Sequence, residues 1–474
     1  MIGRIAWKNI WRNRKRSLVV IVAVTIGIIS GVLMIGIMEG WINQRLDDAI
    51  NNESSHLQIH HSEFLKNEEL SHTISNIDKI TNFLDTTRDV KAWSKRTRII
   101  AMINSAWANS GVTIYGIDPE KERQVTQIHK KIVRAGGRYP EKANPGDIMI
   151  SDKTAEILKI KQFILTDSSM ACLREQKVSD EIIKKLEVLK DNRFRSRKEF
   201  KEALFSLLTD KEAGMHGQLI LEKALDYRIR TKIQVTIADR EGTPVQGIFR
   251  VCGIFKTTNT GYDQGSAFVN AGELSNLYGG DEILVHEIAV LLEDPEALDS
   301  VAVKISRLSG HNAVATWKKL APDAAMMQEF IIVYYLIFIG IIMLALAFGI
   351  INTMLMSILE RTKELGMLMA IGMNQRRIFN MIMLETVLLT TVGAGLGMLS
   401  GWGIVKFLGR TGIHFAPWGE GFEAIGFSAK VYPVVTAEFL LFTTAMVIST
   451  AIVASLWPAR KALKLIPVEA LRTD

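Results

Sequence analysis

Cysteine is scarce in this chain: Cys172 and Cys252 are the only two among 474 residues. Two thiols can pair in an oxidising compartment, but sequence spacing does not show that they are close in space. Cys252 lies in the apolar run FRVCGIF. Because cysteine often behaves as a small buried hydrophobe, a free buried thiol is favoured there over a disulfide. The two cysteines therefore define no disulfide framework.

Catalytic motifs are also missing. The sequence contains no G-x-x-x-x-G-K-[ST] phosphate loop, no H-E-x-x-H, no G-x-S-x-G and no Cys-x-x-Cys. We therefore expect no enzyme activity and no cofactor in this chain. His56, His60 and His61 invite a metal hypothesis, but neither a third ligand nor a supporting shell is visible. A polar strand face is favoured, and no metal site is predicted.

Charge is almost absent from four long stretches, Ser17–Met38, Phe330–Leu359, Thr386–Val405 and Phe439–Ala459. A helix needs about 20 apolar residues to cross a bilayer core about 30 Å thick, and each stretch is long enough. The second is long enough to tilt or to project as a stalk. The first exceeds the usual apolar region of a signal peptide and lacks a small-x-small cleavage site, so we expect an uncleaved anchor.

Basic residues are unevenly distributed around these stretches. Residues 1–16, 360–377 and 460–474 hold fourteen lysines and arginines, whereas residues 406–438 hold three, balanced by three glutamates. Because cytoplasmic flanks are enriched in lysine and arginine, both termini and residues 360–377 are predicted to be cytoplasmic, in a cell (inner) membrane. Residues 39–329 hold 40 basic and 42 acidic residues, so the net charge of +7 reflects topology and does not indicate nucleic-acid binding.

The predicted fold class is an α-helical membrane protein with four transmembrane helices and a large extracytoplasmic α+β domain in two lobes between helices 1 and 2. The predicted segments are an amphipathic cytoplasmic helix (1–16), the first transmembrane helix (17–39), the extracytoplasmic domain (40–329), the second transmembrane helix with its stalk (330–359), a cytoplasmic helix (360–377), the third transmembrane helix (378–405), an external loop (406–438), the fourth transmembrane helix (439–459) and a cytoplasmic tail (460–474).

The extracytoplasmic domain mixes strand and helix patterns. Alternating runs such as HLQIHH, VTIYGID, IQVTIAD and FRVCGIF predict strands, and REGTPVQG predicts a hairpin turn. NIDKITNFLDTT, DKTAEILKI and AGELSNLYG predict helices. We expect one lobe at about 45–118 plus 266–325 and a second at about 119–265. Lysine-rich helical periodicity over 161–228 predicts a helical insert in the second lobe.

Small residues recur at helical spacing inside two of the apolar stretches. Such residues let another helix approach closely, which predicts helix packing at Gly27, Gly31, Gly393, Gly397 and Gly401. The sequence leaves open whether the partner helix belongs to the same chain. Glu385, near the start of the third stretch, is costly at membrane depth. It is either interfacial or has a packing or hydrogen-bonding role.

The segment ILERTKELGMLMAIGMNQRR, residues 358–377, separates the second and third stretches. As a helix it presents Leu365, Leu368, Met369 and Gly372 on one side. One interpretation is a stiff helix that offers an apolar, methionine-rich edge to a soluble partner. The other is a helix that lies on the membrane and contacts only lipid headgroups. Amphipathicity alone does not separate the two.

The sequence NTMLMSILERTKELGMLMAIGMNQRRIF resembles the coupling region of ABC transporter permeases of the FtsX/MacB/LolCDE type. The tail WPARKALKLIPVEALR and the start IAWKNIWRNRKRS resemble the ends of that family, and residues 40–329 resemble its MacB-like periplasmic core domain more loosely. The insert at 161–228 departs from the usual pattern. The resemblance also draws attention to Asn352, an intramembrane polar residue at a matching position.

The resemblance implies a permease that transmits motion mechanically. Two such chains form a homo- or heterodimer, and each docks its cytoplasmic helix into a separate ATPase subunit, which holds ATP and Mg. The residues implied to couple to the ATPase are Glu360, Arg361, Thr362, Glu364, Leu365, Gly366, Met369 and Gly372. Lipoprotein release or transport is the first expectation, with an extracytoplasmic partner or lipoprotein cargo. Efflux of macrolides or peptides, and FtsX-like signalling to a cell-wall hydrolase, are the alternatives.

Overall fold

The structure, a computed structural model, describes residues 14–176, 178–280, 282–415, 419–424 and 426–463. The predicted helix at residues 1–16 lies almost wholly outside the described residues. Most of the predicted tail also lies outside them, including Pro467, Ala470 and Leu471 of the family-like ending.

The chain divides into two compact units. The helical unit comprises residues 1–44, 326–419 and 428–474, and the sheet unit comprises residues 45–325 and 420–427.

The first half of the chain forms these elements: α1 (Arg14–Asp48), a π-helical turn (Ala49–Ser54), β1 (Leu57–His61), α2 (Phe64–Asn67), α3 (Ile77–Thr86), β2 (Val90–Asn104), β3 (Asn109–Ile117), α4 (Pro119–Val125), a 3-10 turn (Ile128–Lys130), β4 (Ile132–Gly137), β5 (Asp147–Ser151), α5 (Asp152–Ile157), β6 (Lys161–Phe163), α6 (Asp167–Glu175), α7 (Asp180–Leu186), a 3-10 turn (Glu187–Leu189), α8 (Arg197–Leu207), α9 (Asp210–Ala224) and β7 (Leu225–Tyr227).

The second half continues with β8 (Lys232–Ala238), β9 (Pro244–Phe255), α10 (Thr260–Gly265), β10 (Ser266–Asn270), α11 (Ala271–Leu277), β11 (Glu287–Leu292), a 3-10 turn (Pro295–Ala297), α12 (Leu298–Leu308), β12 (Asn312–Thr316), α13 (Trp317–Leu320), α14 (Pro322–Glu360), α15 (Thr362–Ala370), α16 (Gln375–Thr411), β13 (Ile413–His414), α17 (Gly419–Ala424), β14 (Lys430–Val431) and α18 (Ala437–Leu463).

Among the residues that the structure describes, four helices are long and apolar enough to cross a membrane: α1, α14, α16 and α18. Their buried side chains form one apolar core in the helical unit, to which Val24, Leu346, Leu389 and Val447 contribute. The predicted fold class, with four such helices and a mixed α/β domain between the first and the second, is confirmed. The helices are longer than the predicted spans. Polar residues continue the helix beyond the apolar stretch, as in α1 (Arg14–Asp48) and α16 (Gln375–Thr411).

The sheet unit is organised around one ten-stranded sheet. Its strand order is β12-β1-β11-β2-β3-β10-β5-β9-β4, and β8 pairs with β2 and β9. Most neighbours are antiparallel, whereas β10 runs parallel to β3 and β5 runs parallel to β9. Strands from both predicted lobes therefore belong to the same sheet. The division into two lobes stays a prediction.

Residues 161–227 contain four helices, α6 to α9. The segment begins with the short strand β6 and ends with β7, and these two strands pair antiparallel. This segment has its own apolar core, in which Phe163, Leu173, Phe200 and Ile220 are buried. Thr209 caps α9 through a capping box with Glu212, whose side chain accepts from the Thr209 backbone N–H at 2.8 Å. Local signals such as this cap therefore help to form the helices of this segment, and a separate apolar core packs them together.

Candidate coupling site

The candidate coupling helix, α15, follows α14 after a single break at Arg361. The backbone of Arg361 (φ −104°, ψ 16°) leaves the helical range there. Thr362 begins α15, and its hydroxyl donates to the carbonyl oxygens of Ile358 (3.1 Å) and Leu359 (2.8 Å) in the preceding turn. Carbonyl groups that the end of α14 would otherwise leave without a partner are thereby satisfied. The two helices are joined by a short connection with little slack.

Gly372 ends α15 in a Schellman motif. Its N–H donates to the carbonyl of Met369 (3.0 Å), and the N–H of Met373 donates to the carbonyl of Leu368 (3.0 Å). The motif needs a residue with positive φ, and Gly372 has φ +92°. A Cβ added at this position would meet no atom within 4 Å. Glycine is therefore required here by backbone conformation and not by a close approach within the chain.

One face of α15 packs onto the helical unit. Leu365 is 2% exposed and belongs to the apolar core of that unit, together with the half-buried Leu368 and Met369. Leu365, Leu368 and Met369 therefore lie on one side of the helix, as expected, and that side packs against the spans, while the coupling role of Leu365 stays a prediction. The exposed apolar side chains of this segment are Met367 (53% exposed) and Ile371 (79% exposed).

An ion pair joins the α14–α15 connection to the third span. Nη1 of Arg361 lies 3.0 Å from Oε2 of Glu385, and Nε of Arg361 lies 3.1 Å from Oε2 of Glu364. The side chain of Glu385 is 7% exposed and that of Arg361 is 15% exposed. Because an unpaired carboxylate at this depth is costly, Arg361 gives Glu385 the partner that its position requires.

A small cavity of about 30 Å³ borders this ion pair. Its polar wall includes Thr353, Ser357, Arg361 and Glu385, and its apolar wall includes Leu365.

The predicted packing glycines lie at helix crossings within the chain. A Cβ added to Gly393 would lie 2.9 Å from Cβ of Val24, and one added to Gly397 would lie 2.8 Å from Cβ of Ile28. Gly401 faces Val32 on the same helix, α1, at 3.3 Å. The hydroxyl of Thr25 donates to the carbonyl of Gly393 (3.1 Å). The sequence left the partner helix open, and the structure places these three glycines against the first span.

The other two packing glycines lie on α1 itself. A Cβ on Gly27 would lie 2.5 Å from Cδ1 of Leu346 in α14. The corresponding distance from Gly31 to Cδ1 of Ile342 is 3.7 Å, an ordinary van der Waals contact. A side chain at Gly27 would therefore require the Leu346 side chain to move, whereas the surroundings of Gly31 are less restrictive.

The remaining predicted site residues differ in their surroundings. Gly366 is buried, whereas Glu360 and Glu364 are exposed. Asn352, predicted as an intramembrane polar residue, lies on α14 with its side chain exposed, and the structure does not bring it to Glu385 and Arg361. The coupling role of α15 stays a prediction.

The histidines of β1 are held by hydrogen bonds within the sheet unit. Nδ1 of His56 accepts from the backbone N–H of Leu292 (3.1 Å), and the ring nitrogens of His60 lie near the carbonyl of His286 and the side chain of Gln58. Burial lowers the pKa of both His56 and His60. Among the described residues, no group of three or more His, Cys, Asp or Glu side chains is arranged to hold a metal ion.

Both cysteines are free thiols. Cys252 is buried and Cys172 is half-buried. The expectation of a free buried thiol at Cys252 is confirmed, and burial raises its pKa to about 12.

The sequence did not identify the partner of Glu385. Arg361 lies at the break between α14 and α15 and Glu385 lies 24 residues later on α16, so no periodicity links them. The available signal was chemical: a single carboxylate at the edge of a span, and an arginine where the preceding span ends.

Residues 336–467 match the family "FtsX-like permease C-terminal". This chain is 39% identical over 126 residues to the ABC transporter permease YvrN of Bacillus subtilis, a match that covers 27% of each chain. It is 37% identical over 126 residues to the macrolide export ATP-binding/permease protein MacB of Chlorobium luteolum, covering 27% of this chain and 16% of that relative. The matches thus span about a quarter or less of the length of these relatives.

A further similarity is to a solved structure, the extracellular domain of the noncanonic ABC-type transporter YknZ from Gram-positive bacteria. The sequences are 13% identical, the TM-score is 0.29, and the match covers 55% of this chain and 99% of that one.

Proposed function

We propose that this chain is an ABC transporter permease of the FtsX/MacB type and that it couples a separate ATPase to its sheet unit. The match of residues 336–467 to the FtsX-like permease C-terminal family and the similarity to two ABC transporter proteins support this proposal. In this proposal the ATPase binds α15 on the cytoplasmic side, where both termini also lie. Hydrolysis of Mg-bound ATP takes place in that partner, and the permease works as a homo- or heterodimer. The permease itself passes on motion.

The observation that carries the proposal is the way α15 is held. Leu365 anchors it in the core of the helical unit, and Arg361 ties its start to Glu385 in the third span. A helix held in this manner transmits a force applied to its free face, whereas a flexible loop would absorb it. That free face carries Met367 and Ile371, and such exposed apolar side chains suit a protein contact.

For the cargo, we propose lipoprotein release or transport from the membrane. The support is the stretch GIMEGWINQRLDDAINNESSHLQIHHSEF, residues 36–64 around the end of α1, which resembles the junction of first span and outer domain in that branch of permeases. A second candidate is efflux of macrolides or peptides, which is favoured by the similarity to a macrolide export protein over 126 residues. FtsX-like signalling to a cell-wall hydrolase would use the same helices, so the partner of the sheet unit distinguishes the three.

Co-purification with candidate ATPases tests the coupling. The full chain and an Ile371→Asp variant are compared, because Asp at this exposed position disturbs a protein contact without touching the core. We expect the variant to lose at least about tenfold in ATPase affinity, the effect of removing a central apolar contact. Ile248→Asp, at an isoleucine of the sheet unit that is 71% exposed, is the matched control and should bind normally. Equal binding by both variants would contradict the proposed role of α15.

A further inference from the structure

A buried arginine lies at the end of the first long helix. Arg45 is in the last turn of α1, and its side chain is 1% exposed. Removing a guanidinium from water is unfavourable unless charged partners receive its N–H groups. Two carboxylates do so, Glu53 in the π-helical turn and Asp323 in the first turn of α14.

The geometry uses both edges of the guanidinium. Nη1 of Arg45 donates to Oε1 of Glu53 (2.8 Å), and Nη2 donates to Oδ2 of Asp323 (2.8 Å), with Nε of Arg45 at 3.3 Å from the same oxygen. Such a planar fork joins two carboxylates in fixed directions, which the single ammonium of lysine does not. Arg45 thus connects the end of α1 to the beginning of α14.

A third chain segment covers the same side chain. Gly426 has φ +81°, and a Cβ built on it would lie 3.0 Å from Nε of Arg45. Gly426, which lies between α16 and α18 in the sequence, therefore approaches the guanidinium closely. Three parts of the chain that are distant in sequence meet at this one residue.

The carboxylates around Arg45 are in turn bound to the loops of the sheet. Nδ2 of Asn259 donates to Oε2 of Glu53 (3.1 Å). Asp48, one turn after Arg45, receives Nζ of Lys131 (2.8 Å) and the hydroxyl of Thr258 (2.5 Å). The network therefore continues from the two helix ends to residues next to β4 and β9.

We propose that Arg45 is a positioning residue that holds the end of α1 and the beginning of α14 together, so that the two helices move the sheet unit as one strut. The purpose assigned to this contact rests on the proposed function, whereas the contact itself does not. Without Arg45, Glu53 would be left as a nearly buried carboxylate with Asp323 beside it, and repulsion would separate the helix ends.

Hydrogen–deuterium exchange of the full chain in lipid nanodiscs, without nucleotide or ATPase, tests the contact. In Arg45→Met we expect exchange at least about tenfold faster both in residues 45–54 and in residues 322–326, although these peptides are far apart in sequence. Arg45→Lys should restore part of the protection. Arg98→Met, which removes the ion pair of Arg98 with Glu68, is the control and should leave both peptides unchanged.

If Arg45→Met fails to fold, Asp323→Asn gives the second readout. Asp323 is 51% exposed, so its replacement removes only the link to α14. Faster exchange confined to residues 322–326 is expected from this variant. Unchanged exchange in Asp323→Asn and in a folded Arg45→Met would overturn the proposed link.

The positioning role is then measured with the co-purified ATPase and a non-hydrolysable ATP analogue. In the unmodified complex the analogue should change exchange in the sheet unit. In Arg45→Met this change should be lost while ATPase binding and hydrolysis persist, and Arg45→Lys should recover it. Persistence of the change in Arg45→Met would overturn the positioning role. Failure of any ATPase to bind would count against the proposed function, whereas the nucleotide-free experiment would still decide the contact.

Discussion

Arg361 and Glu385 form an ion pair, with Nη1 and Oε2 3.0 Å apart, between the connection that follows the second span and the body of the third span. Both side chains are largely buried, and Arg361 also binds Glu364 at the start of α15. The pair links the position of α15 to that of the third span. In the proposed mechanism, this charged contact, which is expensive to break, would carry a change in α15 into the bundle.

Replacing Glu385 by leucine should lower the free energy of unfolding by about 1–3 kcal/mol, because Arg361 would lose its buried acceptor. The double variant Arg361→Met/Glu385→Leu should lose less than the sum of the single losses, since neither charge is then left alone. Reversible unfolding in detergent micelles measures the free energy of unfolding of each single variant, Glu385→Leu and Arg361→Met, and of the double variant. Strict additivity would show that the pair contributes nothing to stability.

The glycines of α16 that face α1 should not tolerate alanine. Gly393→Ala and Gly397→Ala place a methyl within 3.0 Å of α1 atoms and should destabilise the protein by about 1–3 kcal/mol through overpacking. Gly395→Ala and Gly403→Ala on the same helix meet no atom within 4 Å, and alanine favours helix by up to about 1 kcal/mol, so these matched controls should be neutral or stabilising. Melting temperatures in the same detergent compare the four. Equal effects at all four positions would contradict this packing.

Gly372→Ala should weaken the end of α15 by about 1 kcal/mol, because the left-handed backbone at φ +92° disfavours a Cβ although space is available. Gly349→Ala, within α14 and also without a neighbour within 4 Å, is the control and should not weaken its helix. Amide exchange in residues 362–373 reports the difference. Unchanged protection in Gly372→Ala would show that the Schellman motif is dispensable.

Asp263 should make stability depend on pH. Burial raises its pKa to about 7, although the backbone N–H and the hydroxyl of Thr257 donate to it and act in the opposite direction. Because the folded state holds this proton more tightly than the unfolded state, the contribution is complete below about pH 4 and is lost as pH rises towards about 7. Asp263→Asn should flatten that part of the profile of unfolding free energy against pH. A variant that keeps the same slope would exclude Asp263 as its source.

The two thiols should react at very different rates. Cys172 is half-buried, whereas Cys252 is buried and its pKa is raised to about 12, so little thiolate forms at neutral pH. A membrane-impermeant maleimide added to intact cells should label Cys172 first, and Cys172→Ser should remove nearly all labelling. Labelling of Cys172 only after the cells are opened would contradict the predicted orientation.

Much of the fold followed from patterns that act locally. Uncharged stretches of about 20 residues predicted the four long helices, and period-two alternation predicted β1, β3, β8 and β9. The turn between β8 and β9 was also predicted, and the two strands pair antiparallel on either side of it. These features depend on neighbours in sequence, so a single chain is sufficient to find them.

The predictions failed where the outcome depends on tertiary contacts. Helical periodicity located the side of α15 that carries Leu365 but did not show what that side contacts, and the structure packs Leu365 between the spans. The partner of Glu385 and the meeting of Glu53 and Asp323 at Arg45 are likewise contacts between distant segments. Neither propensity nor spacing contains that information.

Site-specific photo-crosslinking at Ile371 in living cells tests the central proposal most directly. A photoreactive residue there should form an adduct with a protein that mass spectrometry identifies as a P-loop ATPase, and the same residue at the exposed Ile248 should not. Adducts with lipid alone, or no ATPase adduct under conditions where the cells contain the assembled protein, would contradict the account.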